Sequence, residues 1–241
     1  MAELLRLDQA SKRYGALTVV DNVDLFVADG EAVGVIGPNG AGKSTMFNLI
    51  TGDAPIDAGR VVFDGRDVGH LPPHARCHAG IGRTYQIPHP FAKMTVFENL
   101  LVGAAFGNRR READTYGHCV DLLALTDLLP KANANAGTLT LLQRKRLELA
   151  RALATEPRLL LLDEVAGGLT EPECQELLGT IRQIHASGVT IIWVEHIVHT
   201  LVSFARRLIV INAGRILDDG EPARVLANPA VKEVYLGMPA S

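Results

Sequence analysis

Gly37-Pro38-Asn39-Gly40-Ala41-Gly42-Lys43-Ser44 carries the pattern G-x-x-x-x-G-K-[ST] at every fixed position, with Thr45 next in line. No other stretch of this chain constrains its fold as tightly. Glycines at 37, 40 and 42 let the backbone turn through conformations closed to β-branched residues and bring successive N–H groups against an anion. The apolar run Ala32-Val33-Gly34-Val35-Ile36 reads as a buried strand entering the loop, and Lys43 to Ile50 reads as a helix leaving it. The unpaired first-turn amides and the positive end of the helix dipole then face the same phosphate. Lys43 is expected to reach the β- and γ-phosphates of a nucleotide and Ser44 to help hold Mg²⁺.

Bulk properties narrow what surrounds this loop. With 241 residues, 47% of them hydrophobic, the chain is long enough for one domain with a subdomain. A formal net charge of -3 gives no general attraction to nucleic acid. The basic runs Arg109-Arg110-Arg111 and Arg144-Lys145-Arg146 are each soon followed by an acid, Glu112 or Glu148, and read as solvated helix faces. Cys77, Cys119 and Cys174 are scattered without a C-x-x-C, as expected of reduced thiols in a cytosolic protein. Charges come too early for a signal peptide and no apolar run approaches a spanning length, so membrane association is expected to go through a partner.

Residues 4 to 27 alternate as two or three antiparallel strands: Leu4 to Leu7, Leu17 to Val20 and Val23 to Val27. Gly59 to Gly65 reads as a strand between turns and Gly80 to Tyr85 as a short strand ending at Gln86. His70, His74, Cys77 and His78 have an inviting metal spacing, but Pro72-Pro73 interrupts any helix through all four, and a metal is not expected there. From Ile87 to about Ala154 the pattern turns helical, over 97–102, 119–129 and 141–153. Strands return at 159–162, 189–194 and 208–211 with helices between, the alternation of a parallel sheet. Thr170 with Glu173 three residues on marks a helix start. The expectation is an α/β P-loop NTPase core of the RecA-like kind with an N-terminal antiparallel β subdomain. Residues 1–86 and 155–241 form that core and its tail, and 87–154 an inserted α-helical subdomain.

A second constellation completes the chemistry. The strand Leu159 to Leu162 delivers Asp163 and Glu164 at its carboxyl end, where open α/β sheets bind ligands. Adjacent carboxylates after a buried strand are rarely structural, because unpaired charge there is expensive. In a P-loop protein the first holds Mg²⁺ through its water shell and the second deprotonates the attacking water. Ile191 to Val194 ends in Glu195-His196, and His196 reads as a γ-phosphate sensor rather than a zinc ligand, since His196 and His199 lack the H-E-x-x-H pattern.

Together these residues resemble the ATP-binding-cassette (ABC) ATPase family over nearly the whole chain. Tyr14 matches the family's adenine-stacking aromatic, Gly37 to Thr45 the Walker A loop, and Gln86 the Q-loop glutamine that joins Ser44 and Asp163 at the metal. Leu159 to Glu164 matches the Walker B strand with its catalytic glutamate, and His196 the switch histidine. Gly82-Arg83-Thr84-Tyr85-Gln86, Met94 to Leu100 and the tail Asn228 to Gly237 look like the LivG-like branch of branched-chain amino-acid importers. The tail also resembles lipopolysaccharide-export ATPases, the nearest rival. The resemblance implies ATP and Mg²⁺ as cofactors, a separate membrane permease docking near Gln86 and 88–95, and a solute-binding protein indirectly. It also implies a peripheral place on the cytoplasmic side of the inner membrane. A competing reading is a low-turnover ATP-binding switch.

Departures from the family pattern set a further expectation. Where the signature L-S-G-G-Q belongs, this chain has Leu139-Thr140-Leu141-Leu142-Gln143; Val165 replaces a proline, and Gly167-Gly168-Leu169-Thr170 a D-loop that normally ends in aspartate. The family brings this helix start against the γ-phosphate of a partner cassette, where glycine permits close approach. Leu142 is expected to crowd that phosphate, which favours a heterodimer with a different ATPase subunit over a homodimer.

Overall fold

The computed structural model describes residues 2–107 and 111–236, the side chain of Leu236 aside. Arg109 and Arg110 of the first basic run, and Gly237 of the tail, lie outside the described residues. In chain order the elements are β1 (Glu3–Tyr14), β2 (Leu17–Ala28), β3 (Ala32–Ile36), α1 (Lys43–Thr51), β4 (Ala58–Phe63), β5 (Arg66–Asp67), α2 (Pro73–Ala79) and β6 (Ile81–Arg83). Then come α3 (Val96–Gly107), α4 (Tyr116–Leu125), α5 (Leu141–Leu153), β7 (Leu159–Asp163) and α6 (Glu171–Ala186). The chain closes with β8 (Thr190–Val194), α7 (Val198–Val202), β9 (Arg207–Asn212), β10 (Arg215–Gly220), α8 (Pro222–Ala227) and α9 (Pro229–Leu236). They build two compact units, one of residues 1–76 with 190–241 and one of residues 77–189.

The first unit holds an antiparallel sheet in the order β2-β1-β4-β5 and a second run of strands in the order β10-β9-β3-β8. The segments 17–20 and 23–27, expected as separate strands, form the single strand β2. Asn22 sits at φ 51° between them, and Ser11 Oγ accepts its N–H at 2.9 Å, so an irregularity bends the ladder without ending it. Strand β3 is parallel to both β8 and β9, and every residue of β3 and β8 is buried. Strands covered on both faces read as continuous apolar runs, which is why no alternation marks them in the sequence.

In the second unit β6 runs parallel to β7 in the register Ile81↔Leu159, and α3 packs on α5 and α4. Helix α3 starts at Val96, after an irregular stretch from Ile87 that includes a turn closed by Met94 N–H to the Phe91 carbonyl at 2.9 Å. Thr95 and Glu98 form a reciprocal cap there, Glu98 N–H to Thr95 Oγ1 at 3.1 Å and Thr95 N–H to Glu98 Oε2 at 2.7 Å. The helix expected over 119–129 is α4, shifted toward the N-terminus; Asp127 at φ 55° stops it. Thr170 begins α6 as expected, with Glu173 accepting its N–H and its hydroxyl, each at 2.8 Å. Helix α2 begins on Pro73, so His74, Cys77 and His78 share one helix while His70 precedes it. Among the described residues no three His, Cys, Asp or Glu side chains gather as a metal site.

Candidate functional site

In the first unit, β3 runs into the loop and α1 runs out of it. Lys43 is buried, and its Nζ donates to the carbonyls of Gly37 at 2.7 Å and Pro38 at 3.0 Å. The ammonium is thereby folded back over the loop whose amides would share a phosphate with it. Gly42 has φ 106°, and a Cβ there would stand 2.5 Å from the Val19 carbonyl oxygen; a Cβ on Gly37 would collide with the Ile211 carbonyl. At Gly37 and Gly42 the loop is thus closed to side chains from behind and presents backbone alone. Asn39, Gly40 and Ser44 are exposed, Thr45 is half-buried and Ala41 is buried. A triphosphate fits this chemistry, and the exposed Ser44 hydroxyl suits a metal that such a ligand brings with it.

Two further segments of this unit meet the loop. Beyond β8, Glu195 is buried and accepts the backbone N–H of His196 at 2.9 Å, which leaves the imidazole exposed. A cavity of about 210 Å³ is lined by Gly37, Pro38, Asn39 and His196 together with Val234 and Tyr235 of α9. Sequence reasoning singled out the tail only by resemblance and missed that Tyr235 stands beside the loop. Tyr14 lies apart from that lining. It is half exposed at the end of β1, with Lys12 Nζ 5.4 Å from its ring centroid, and Lys12 is anchored to Asp57 at 2.9 Å.

In the second unit, β7 ends in Asp163 and the chain then turns sharply, Glu164 taking φ 48°. Asp64 after β4 and Ala213 after β9 turn in the same way, and at Glu164 this conformation sets the direction of the side chain. Asp163 is buried, and its Oδ2 pairs with Arg83 Nη2 at 2.7 Å, both side chains being under one-tenth exposed. Thr84 Oγ1 accepts the Asp163 N–H at 3.3 Å. Gln86 Nε2 donates to Glu164 Oε2 at 2.5 Å, so the glutamine and the second carboxylate form a direct pair. The Arg83 guanidinium also lies 4.9 Å from the Tyr85 ring centroid.

Helix α5 opens on a reciprocal cap, Gln143 N–H to Thr140 Oγ1 at 3.4 Å and Thr140 N–H to Gln143 Oε1 at 3.1 Å. This corrects the expectation for the two leucines. Leu142 falls on the inward face and is 9% exposed, whereas Leu141 is 44% exposed and its Cδ2 lies 3.2 Å from where a Cβ on Gly168 would be. Any crowding at the head of α5 therefore comes from Leu141. The basic run 144–146 needs correcting too. Only Arg144 is exposed; Arg146 is buried and pairs with Asp127 at 2.7 Å and Glu176 at 2.9 Å, and Lys145 is 4% exposed. Three successive residues span about 200° of a helix, and α5 is buried at every position from Lys145 to Ala150, so only the first of the three reaches solvent.

One face of α5 grips the segment after β6. Lys145 Nζ donates to the Gln86 carbonyl at 2.8 Å and the Glu164 carbonyl at 3.3 Å. Glu148 accepts the Tyr85 N–H, and burial pushes its carboxyl above the usual range against the pull of Arg151 and His89. Arg151 Nη1 donates to the His89 carbonyl at 3.0 Å, with its guanidinium 4.9 Å from the Phe91 ring centroid. Arg83 and Lys145 are the residues that motif reading passed over in this unit. The only signal for either was its place beside a motif.

Over residues 20–167 the chain matches the family model described as ABC transporter. It is 37% identical to the high-affinity branched-chain amino acid transport ATP-binding protein BraF of Pseudomonas aeruginosa, over 97% of this chain and 98% of that one. The lipopolysaccharide export system ATP-binding protein LptB of Haemophilus influenzae is 33% identical over 97% of each. The ADP conformation of MJ1267, an ATP-binding cassette of an ABC transporter, superposes with a TM-score of 0.90 at 31% identity, covering 99% of this chain and 100% of the other.

Proposed function

Since this chain belongs to the ABC transporter family and is the ATP-hydrolysing subunit of a transporter, working with membrane permease subunits, we propose that it energises an importer of branched-chain amino acids or related small solutes. The observation that carries this solute class is the 37% identity to BraF over nearly the full length of both chains. LptB relatives at 33% keep lipopolysaccharide export as the second reading. The test is to purify the chain with its permease, its partner ATPase subunit and the solute-binding protein, reconstitute them in vesicles and measure ATP-driven uptake of leucine, isoleucine and valine. ATP hydrolysis stimulated by lipopolysaccharide, with no amino-acid uptake, would replace the first reading by the second.

In this reading the backbone N–H groups of Gly37 to Thr45 and the Lys43 ammonium bind the ATP phosphates, and Tyr14 stacks the adenine. Ser44, Gln86 and Asp163 would hold Mg²⁺, which neutralises charge on the phosphates during transfer. Arg83 takes Oδ2 of Asp163, and the other carboxylate oxygen would be the one to serve the metal's water shell. Glu164, oriented by Gln86, removes the proton from the attacking water, and His196 senses the γ-phosphate. Residues 87–154 act as the helical subdomain and 1–86 with 155–241 as the core. Among the described residues no helix is long and apolar enough to cross a membrane, consistent with peripheral attachment on the cytoplasmic side of the inner membrane. A different ATPase subunit is the favoured partner, because Leu141 projects from the head of α5 where a partner's phosphate calls for glycine.

A further inference from the structure

We propose that Lys145 is a positioning residue for hydrolysis, holding the backbone carbonyls of Gln86 and Glu164 in one frame so that their side chains meet. The inference rests on Glu164 being the general base. Its ground is a buried ammonium whose hydrogen bonds at 2.8 Å and 3.3 Å reach the main chains of the two residues that themselves pair side chain to side chain at 2.5 Å. Burying a lysine charge is expensive unless partners receive it, and carbonyl oxygens at these distances do so. Glu164 also carries a cost of its own, since φ 48° on a non-glycine residue persists only where its surroundings enforce it. Lys145 and the Gly167 N–H, the latter at 3.1 Å, both hold its carbonyl. The Gly167 bond is local to the turn; Lys145 ties the turn to a separate helix.

That helix holds the other loop as well. Positions 145, 148 and 151 repeat every three residues and so share one face of α5. Lys145 takes the carbonyl of Gln86, Glu148 the N–H of Tyr85 and Arg151 the carbonyl of His89. Lys145 alone of the three also bonds the Glu164 turn. A movement of α5, whose first turn is Thr140 to Gln143, is therefore passed directly to the pair that activates water.

The test uses the full chain. Lys145→Met is expected to lower kcat for ATP hydrolysis about 10²-fold, the scale of an ångström-sized misplacement, while the KM for ATP stays within about twofold. Lys145→Arg, which keeps a charged donor, should recover most of the loss. In a Glu164→Gln background Lys145→Met should cost nothing more, because both changes act on the same step. If Lys145→Met does not fold, Lys145→Gln carries the same comparison. Wild-type kcat in the folded variant overturns the inference; so does an equal loss in the Glu164→Gln background, or a loss confined to thermal stability. Wild-type turnover by Glu164→Gln alone would instead sink the general-base reading.

Discussion

The phosphate loop of the first unit and the carboxylate loop of the second solve their tasks by opposite means. The first is contiguous: Gly37 to Ser44 supplies its own turn, its own amides and, in Lys43, a cation bonded to carbonyls only five and six residues away. The second is assembled from distant segments. Arg83 meets Asp163 across 80 residues, Gln86 meets Glu164 across 78, and Lys145 reaches both loops from a third element. A contiguous site draws its binding groups from one stretch of backbone, whereas an assembled site depends on every segment that carries part of it.

The sharpest break of this contrast is Glu164→Gln. It should leave ATP binding intact and slow hydrolysis about 10²- to 10⁴-fold, the range for losing a positioned general base; single-turnover rates beside equilibrium nucleotide binding check it. Next is Arg83→Leu, which strands a buried carboxylate. A loss of about 3–5 kcal/mol in unfolding free energy is expected, measured by urea denaturation. An unchanged midpoint would mean that Asp163 finds another partner. Lys43→Ala should act on binding rather than on stability. Removing a charged hydrogen-bonding group from the phosphates should weaken ATP by about 1.5–3 kcal/mol, and calorimetry showing equal affinity would contradict the cradle assignment. The smallest effect is expected of Thr140→Ala, which removes half of the α5 cap and should cost about 1 kcal/mol. Thermal unfolding reads that loss.

The contrast also governs what could be read before folding. The phosphate loop, its strand and its helix stand where the pattern put them, because their determinants lie within a few residues of one another. Strands β3, β7 and β8 were likewise visible as unbroken apolar runs. The break expected between 17–20 and 23–27 did not occur, since Ser11 on the neighbouring strand bonds the Asn22 amide and carries the ladder past the irregularity. Which leucine of Leu141-Leu142 faces outward was misjudged for a similar reason: alignment to a motif places residues in order along the chain and says nothing of the direction in which a helix turns them.

By itself, then, the amino-acid order determined the family, the nucleotide-binding loop and the candidate acids, for these are written in short-range spacing and in runs of one polarity. Only the tertiary structure decided that Asp163 is neutralised by Arg83, that Tyr235 of the tail borders the phosphate loop, and that Lys145, from a run that looked like solvated charge, is a buried tie between Gln86 and Glu164. The physical reason is one of range. Backbone conformation and strand or helix character follow from neighbours a few residues off, but the partner of a buried charge is chosen by whichever segment packs against it, and no local pattern records that choice.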